Sequence, residues 1–273
     1  MSHQLSEVFK RCAQDNRAAL VGYLTAGDPD PKTSETLMLE LIKHVDIIEI
    51  GMPFSDPAAD GPVIQAASER ALAAGTRLAD VFALAKKIRA SKPEIGIVLM
   101  GYANVPYTMG FGHFARQAKA SGVDGVLLVD IPAEESHICA QAFAKESLSQ
   151  IMLLAPTSTE ERIEMAVNIA QGFIYYVSLA GITGAEMGEV AKVKEKLSLI
   201  RTYTTLPICV GFGVKTEAQA KEIAAFADGV VVGSHFVSQI TSNIHDHDAM
   251  VLGVSESAST MAYAMKHTTA GAS

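Results

Sequence analysis

Eight short apolar runs, each unbroken in hydrophobic character and followed by a helical pattern, predict one α/β domain folded as a (β/α)8 TIM barrel. Unbroken rather than alternating runs mean strands buried on both faces, as in a parallel sheet covered by helices. Eight such units within about 250 residues is the arithmetic of a closed barrel. Length alone does not decide. A chain of 273 residues with 49% hydrophobic content can bury one large core or two smaller ones. The competing arrangement is a doubly wound open sheet. It is disfavoured because no dinucleotide-type glycine fingerprint follows the first run, and no run alternates like an edge strand.

Taken in order, Leu5, Val8, Phe9 and Cys12 recur at helical spacing, which predicts an amphipathic helix over residues 5–14 ahead of the barrel. Residues 18–24 form the first strand, and the Gly27, Pro29 and Pro31 turn leads into a helix over 31–43. The second strand spans 46–51, and helices over 62–74 and 78–90 follow, parted by Gly75. Further strands are expected at 95–100, 125–129, 150–154, 173–177, 207–211 and 228–232. Helical patterns fill 111–121, 134–145, 159–170, 189–201 and 217–226. The barrel therefore runs from about 18 to 240 within a single domain of 1–273. Residues 241–273 are a C-terminal extension, with a closing helix over 249–265 and a frayed end.

Composition narrows the function. With 22 basic and 30 acidic residues the net charge is −8 and no like-charge tail exists, which argues against a nucleic-acid partner. Cys12, Cys139 and Cys209 lie far apart without zinc or redox spacing, so reduced thiols and a cytoplasmic location are expected. No apolar run reaches the roughly 18 residues of a membrane span, and residues 1–7 do not read as a leader, so the chain is expected to begin near Met1. His245, Asp246, His247 and Asp248 alternate in a polar stretch. They read as a solvated turn rather than a metal site.

The residue that stands out is Glu49, an acid inside the apolar run Ile47-Ile-Glu-Ile50. Strand alternation places Ile48 and Ile50 on one face and Ile47, Glu49 and Gly51 on the other. If the isoleucines meet helices, Glu49 points into the barrel near its mouth, where such folds keep their chemistry. Burial there costs several kcal/mol unless the carboxyl is paired, protonated or used. The bland alternative is a buried, hydrogen-bonded glutamate. Desolvation raises a carboxyl pKa, which suits a group exchanging protons near neutrality.

Asp60 lies in the following loop, where it is either a second acid–base group or the cap of the Pro62 helix. Asp56 before Pro57 reads as a turn residue. Gly181-Ile-Thr-Gly184, Gly211-Phe-Gly-Val214 and Gly233-Ser234 follow the sixth, seventh and eighth strands. Each alone is a common turn device, but three in succession suggest a phosphate nest of open amides. The glycine-punctuated loop over 178–190 reads as a lid. Tyr23, Met100, Tyr102, Leu127, Val129, Leu153, Tyr175 and Phe212 are the other inward candidates. They are core by default, and near the mouth they suit a flat aromatic ligand.

The segments Tyr23-Leu-Thr-Ala-Gly-Asp-Pro29, Ile48-Glu-Ile-Gly-Met-Pro-Phe-Ser-Asp-Pro57, Ala59-Asp-Gly-Pro62, Gly181-Ile-Thr-Gly-Ala185 and Gly211-Phe-Gly-Val214 together resemble the tryptophan synthase α subunit family. The likeness spans residues 5 to about 240, and 48–62 is its most specific part. It implies a barrel that cleaves indole-3-glycerol phosphate to indole and glyceraldehyde 3-phosphate by a retro-aldol step, without cofactor or metal. Glu49 then protonates indole C3 and manages the glycerol hydroxyl proton, and Asp60 stabilises the indole N–H. Gly184, Gly213, Gly233 and Ser234 match the phosphate contacts. Tyr23, Tyr102, Leu127, Tyr175 and Phe212 match the pocket, and Thr183 the mobile loop, where it is expected to meet Asp60.

The resemblance also implies a heterotetramer with a β subunit that carries pyridoxal phosphate and receives indole. The loops holding Pro53, Asp56 and Asn104 match the docking face. Leu179 departs from the arginine many members carry in the mobile loop, which affects closing contacts rather than the chemistry. A stand-alone lyase releasing free indole and a catalytically idle barrel that activates a β partner are the alternatives.

Overall fold

The computed structural model describes residues 3–177, 187–211 and 213–266. Eight parallel strands close on themselves in sequence order: β1 (Ala19–Thr25), β2 (Ile47–Gly51), β3 (Gly96–Gly101), β4 (Gly125–Leu128), β5 (Ser149–Leu154), β6 (Ile174–Val177), β7 (Ile208–Gly211) and β8 (Gly229–Val232). The ring closes by pairing of Ala19 with Gly229 and Leu20 with Val230. The register sets Tyr23 beside Glu49, and Glu49 beside Val98.

Around the strands lie α2 (Pro31–Leu41), α3 (Pro62–Ala73), α4 (Leu78–Ser91), α5 (Asn104–Met109), α6 (Phe111–Ala120), α7 (His137–Lys145), α8 (Glu160–Ile169), α9 (Met187–Tyr203), α10 (Glu217–Ala224), α11 (Ser234–Ser242) and α12 (His247–Lys266). Local chemistry fixes their starts. Asp30 accepts the amides of Lys32 and Thr33, and Pro31 follows at the first helical position. Thr216 and Gln219 form a reciprocal capping box on α10.

The alternation read from the sequence divides the core in two. Ile48, Ile50, Ile97, Leu99, Val210 and Val230 face outward and pack under the helices. Ala19, Val21, Ile47, Val98, Leu127, Ile151, Phe173, Cys209 and Val231 fill the interior. The leading helix, α1 (His3–Gln14), turns Leu5, Val8, Phe9 and Cys12 into that interior cluster, with Phe9 and Phe173 ring centroids 5.7 Å apart. It closes the N-terminal end of the barrel as a plug. Three aspartates brace the same end. Asp46, Asp124 and Asp228 each precede an even-numbered strand and accept the amide of Leu20, Ile97 or Ile208 on the strand before. Each also pairs with an arginine: Arg17, Arg89 and Arg201 respectively.

The structure corrects four local expectations. The single helix expected over 134–145 is a 3-10 turn at Ala133–Glu135 followed by α7. The short α5 was not anticipated; its Pro106 sits in the first turn, where no amide is needed. The helix α11 carries the barrel through Ser242, two residues past the expected edge, and α12 starts at His247. The 245–248 tract, expected as a solvated turn, is exposed but is a turn only in its first half, because His247 and Asp248 open α12.

Candidate active site

With one end plugged, the opening lies at the C-terminal ends of the strands. There a cavity of about 530 Å³ is lined by Tyr23, Glu49, Asp60, Tyr175, Gly213, Gly233 and Ser234 among others. These seven, and Met100 with them, were singled out in the sequence and meet in one space. The phenols of Tyr23 and Tyr175 occupy the room that two glycines leave. A Cβ on Gly51 would fall 2.2 Å from Tyr23 Oη, and one on Gly211 would fall 2.6 Å from Tyr175 Oη. Either side chain would displace a ring. Tyr23 Oη also lies 3.1 Å from Thr25 Oγ1.

Glu49 is 1% exposed, and neither of its carboxyl oxygens has a hydrogen-bond partner among the described residues. Burial, and secondarily the nearby Asp60 charge, push its pKa up to about 8. Its carboxyl is therefore protonated over much of the neutral range. Asp60 sits in a different setting. Burial also raises its pKa, but Tyr102 Oη, donating at 3.0 Å, works in the opposite direction. Tyr102 Oη is fixed in turn by the Ala59 amide at 3.0 Å and by the Phe54 ring stacked at 5.2 Å.

The capping alternative for Asp60 fails on geometry. Gly61 is the N-cap of α3, and no side chain caps it. Asp60 contributes only its backbone carbonyl there, accepting from Gln65 Nε2. The site therefore holds two carboxyls in different settings, one on a rigid strand without a described hydrogen-bond partner and one on a loop braced by a phenol. That is the separation acid–base work requires.

In the same cavity, Gly213 (φ +59°) has no described neighbour within 4 Å of where a Cβ would stand, and α11 begins at Ser234 with no side-chain cap. The first amides of a helix have no partner within it and carry its positive dipole end, so this wall is suited to an anion.

Not every expected residue joins the cavity. Leu127, the register partner of the cavity-lining Met100, is fully buried in the interior cluster and does not line the space. Tyr102 acts behind Asp60 rather than on the cavity wall. Thr183, Gly184, Leu179 and Phe212, with most of the expected lid, fall outside the described residues. Pro53 is half-buried beside the mouth, and Asp56 and Asn104 are exposed there. Lys215, Val177 and Val231 line the cavity and were not anticipated as site residues. Strand alternation flags the valines, whereas a lysine at a helix start gives no signal beyond solvation.

Comparison with known proteins gives the family of the chain. The family model described as tryptophan synthase alpha chain matches residues 9–266. The tryptophan synthase alpha chain of Nitrosococcus oceani is 48% identical over 238 residues, covering 87% of this chain and 88% of that protein. That of Geotalea uraniireducens is 49% identical over 235 residues, covering 86% and 88%. A crystal structure of the alpha chain from Legionella pneumophila superposes with a TM-score of 0.88 at 35% identity, covering 96% of this chain and 97% of that one. Tryptophan synthase from M. tuberculosis, in an open form, gives 0.87 at 34% identity over 96% and 98%. The chain belongs to the tryptophan synthase alpha chain family.

Proposed function

We propose that this chain cleaves indole-3-glycerol phosphate to indole and glyceraldehyde 3-phosphate, with Glu49 and Asp60 as its acid–base pair. The observation that carries the assignment of roles is the contrast between the two carboxyls: Glu49 buried without a hydrogen-bond partner among the described residues, Asp60 held by Tyr102. An indole carbon is a poor leaving group until its C3 is protonated. Glu49, whose pKa lies near 8, holds the proton that this step needs. Protonation turns the ring into an iminium-like electron sink. The positive charge collects at the ring nitrogen, where an ionised Asp60 accepts the N–H.

The glycerol hydroxyl on the carbon next to the ring then loses its proton to the Glu49 carboxylate. The C–C bond breaks, its electrons return to the ring, and the aldehyde forms. Glu49 ends protonated, ready for the next turnover. Gly213, Gly233 and Ser234 hold the phosphate, with Gly184 from the adjoining loop, and the phenols of Tyr23 and Tyr175 bound the aromatic pocket. Thr183, Phe212 and Leu127 complete the proposed substrate set.

The sequence of steps needs no group beyond these side chains. Pyridoxal phosphate belongs to the β subunit, with which this chain forms a heterotetramer, and Pro53, Asp56 and Asn104 form the docking rim. Exposed Tyr107 and Met109 on α5 extend that rim with apolar surface. No helix among the described residues is long and apolar enough to cross a membrane. The proposed location is cytoplasmic, as the three free cysteines suggest.

The test is indole release from indole-3-glycerol phosphate, with and without a β subunit. Activity that rises strongly on adding the β subunit and falls at least about 10²-fold in Asp60→Asn supports the reading. High activity alone that the partner leaves unchanged makes it a stand-alone lyase. No release under either condition makes it an idle barrel.

A further inference from the structure

We infer that Lys215 is a phosphate-binding residue of this chain, a side-chain cation that closes over the ligand's phosphate from the β7–α10 loop. The inference rests on the substrate proposed above and adds a contact and a specificity to it. Lys215 lines the same cavity as Gly213, Gly233 and Ser234, and it is the one basic side chain among the described residues that do so. It forms no ion pair with a described residue. Among the described residues, none lies within 4 Å of where a Cβ on Gly213 would stand.

The backbone of Lys215 is already committed. Its amide donates to Gln219 Oε1 at 2.9 Å, and the Thr216 amide uses the same acceptor in the α10 capping box. These amides are therefore unavailable to an anion, and what residue 215 offers the cavity is its ammonium group. The amides at the start of α11 supply only partial charge, roughly half an elementary charge for a whole helix end. A phosphate monoester carries nearly two negative charges at neutral pH. It must also enter a space that Glu49 and Asp60 line as well, in a chain of net charge −8. His235, next to Ser234, does not help, because burial lowers its pKa and leaves the ring neutral. Lys215 supplies the full positive charge that the wall of amides lacks.

The contact is made by an exposed, flexible side chain, so it is screened and modest. Lys215→Gln is expected to raise KM for indole-3-glycerol phosphate about ten-fold at low ionic strength, with a smaller change in kcat. Lys215→Arg is expected to stay within about three-fold of the parent. Calorimetric titration with inorganic phosphate and with glycerol 3-phosphate should show the same loss for Lys215→Gln, shrinking as salt is added. Unchanged phosphate affinity in Lys215→Gln at low salt overturns the assignment. The two titrations need no turnover. If the parent protein releases no indole, the reaction proposed above falls while the phosphate measurements still decide the role of Lys215.

Discussion

Replacing Glu49 with glutamine is expected to stabilise the protein at alkaline pH while removing its turnover. The folded state raises the carboxyl pKa from 4.5 to about 8, whereas the unfolded chain returns it to the ordinary value. Between those two values the native protein holds a proton that the unfolded chain has released. Stability therefore falls as pH rises through that window, the reverse of the usual carboxylate.

At 1.36 kcal/mol per pKa unit the full cost above pH 8 is about 5 kcal/mol, and about 3 kcal/mol at pH 7. Water entering the cavity reduces both. The amide keeps the volume and cannot ionise, so it escapes the pH-dependent part. It retains the penalty of a buried polar group, which is common to both proteins at low pH. Urea unfolding of the two proteins at pH 5, 7 and 8.5 reads the effect as a stability difference that grows with pH. A difference that is the same at all three values refutes the argument, because Glu49 would then be as solvated when folded as when unfolded.

Tyr102→Phe removes the donor that opposes the burial-driven rise of the Asp60 pKa. The acidic limb of the pH–rate profile is expected to move to higher pH, with turnover reduced about ten-fold at neutrality. Gly51→Ala puts a methyl group 2.2 Å from Tyr23 Oη. A loss of about 1–3 kcal/mol in thermal or urea unfolding, with weakened substrate affinity, is expected. Asp124→Ala removes the carboxylate from Arg89, which keeps only backbone carbonyls, and from the Ile97 amide at the plugged end. It should cost about 3 kcal/mol in urea unfolding while leaving kcat near normal at temperatures where the fold survives.

Glu49 was legible in the sequence because an acid in an apolar strand breaks a pattern, and a strand's period of two is rigid enough to tell in from out. Its lack of a partner was not legible, since that depends on what seven other strands bring near it. Asp60 shows the limit more sharply. Sequence left it between catalyst and cap, and the answer depended on Tyr102, 42 residues away, whose hydroxyl faces it across two loops. Leu127 has the right parity to face inward, yet alternation does not report whether neighbouring side chains cover it. The helix α5 escaped notice because six residues are too few to show a period, and Lys215 because one cation beside a helix start looks like ordinary surface.

The plug formed by Leu5, Val8, Phe9 and Cys12 makes the barrel a vessel with a single opening. Nothing released beside Glu49 can drain through the base, because the interior layers above α1 are filled with side chains. All traffic passes the rim that holds Asp60 and Asn104. A protein seated on that rim consequently needs no seal of its own at the far end. By covering one mouth it governs both what enters and the direction in which products leave.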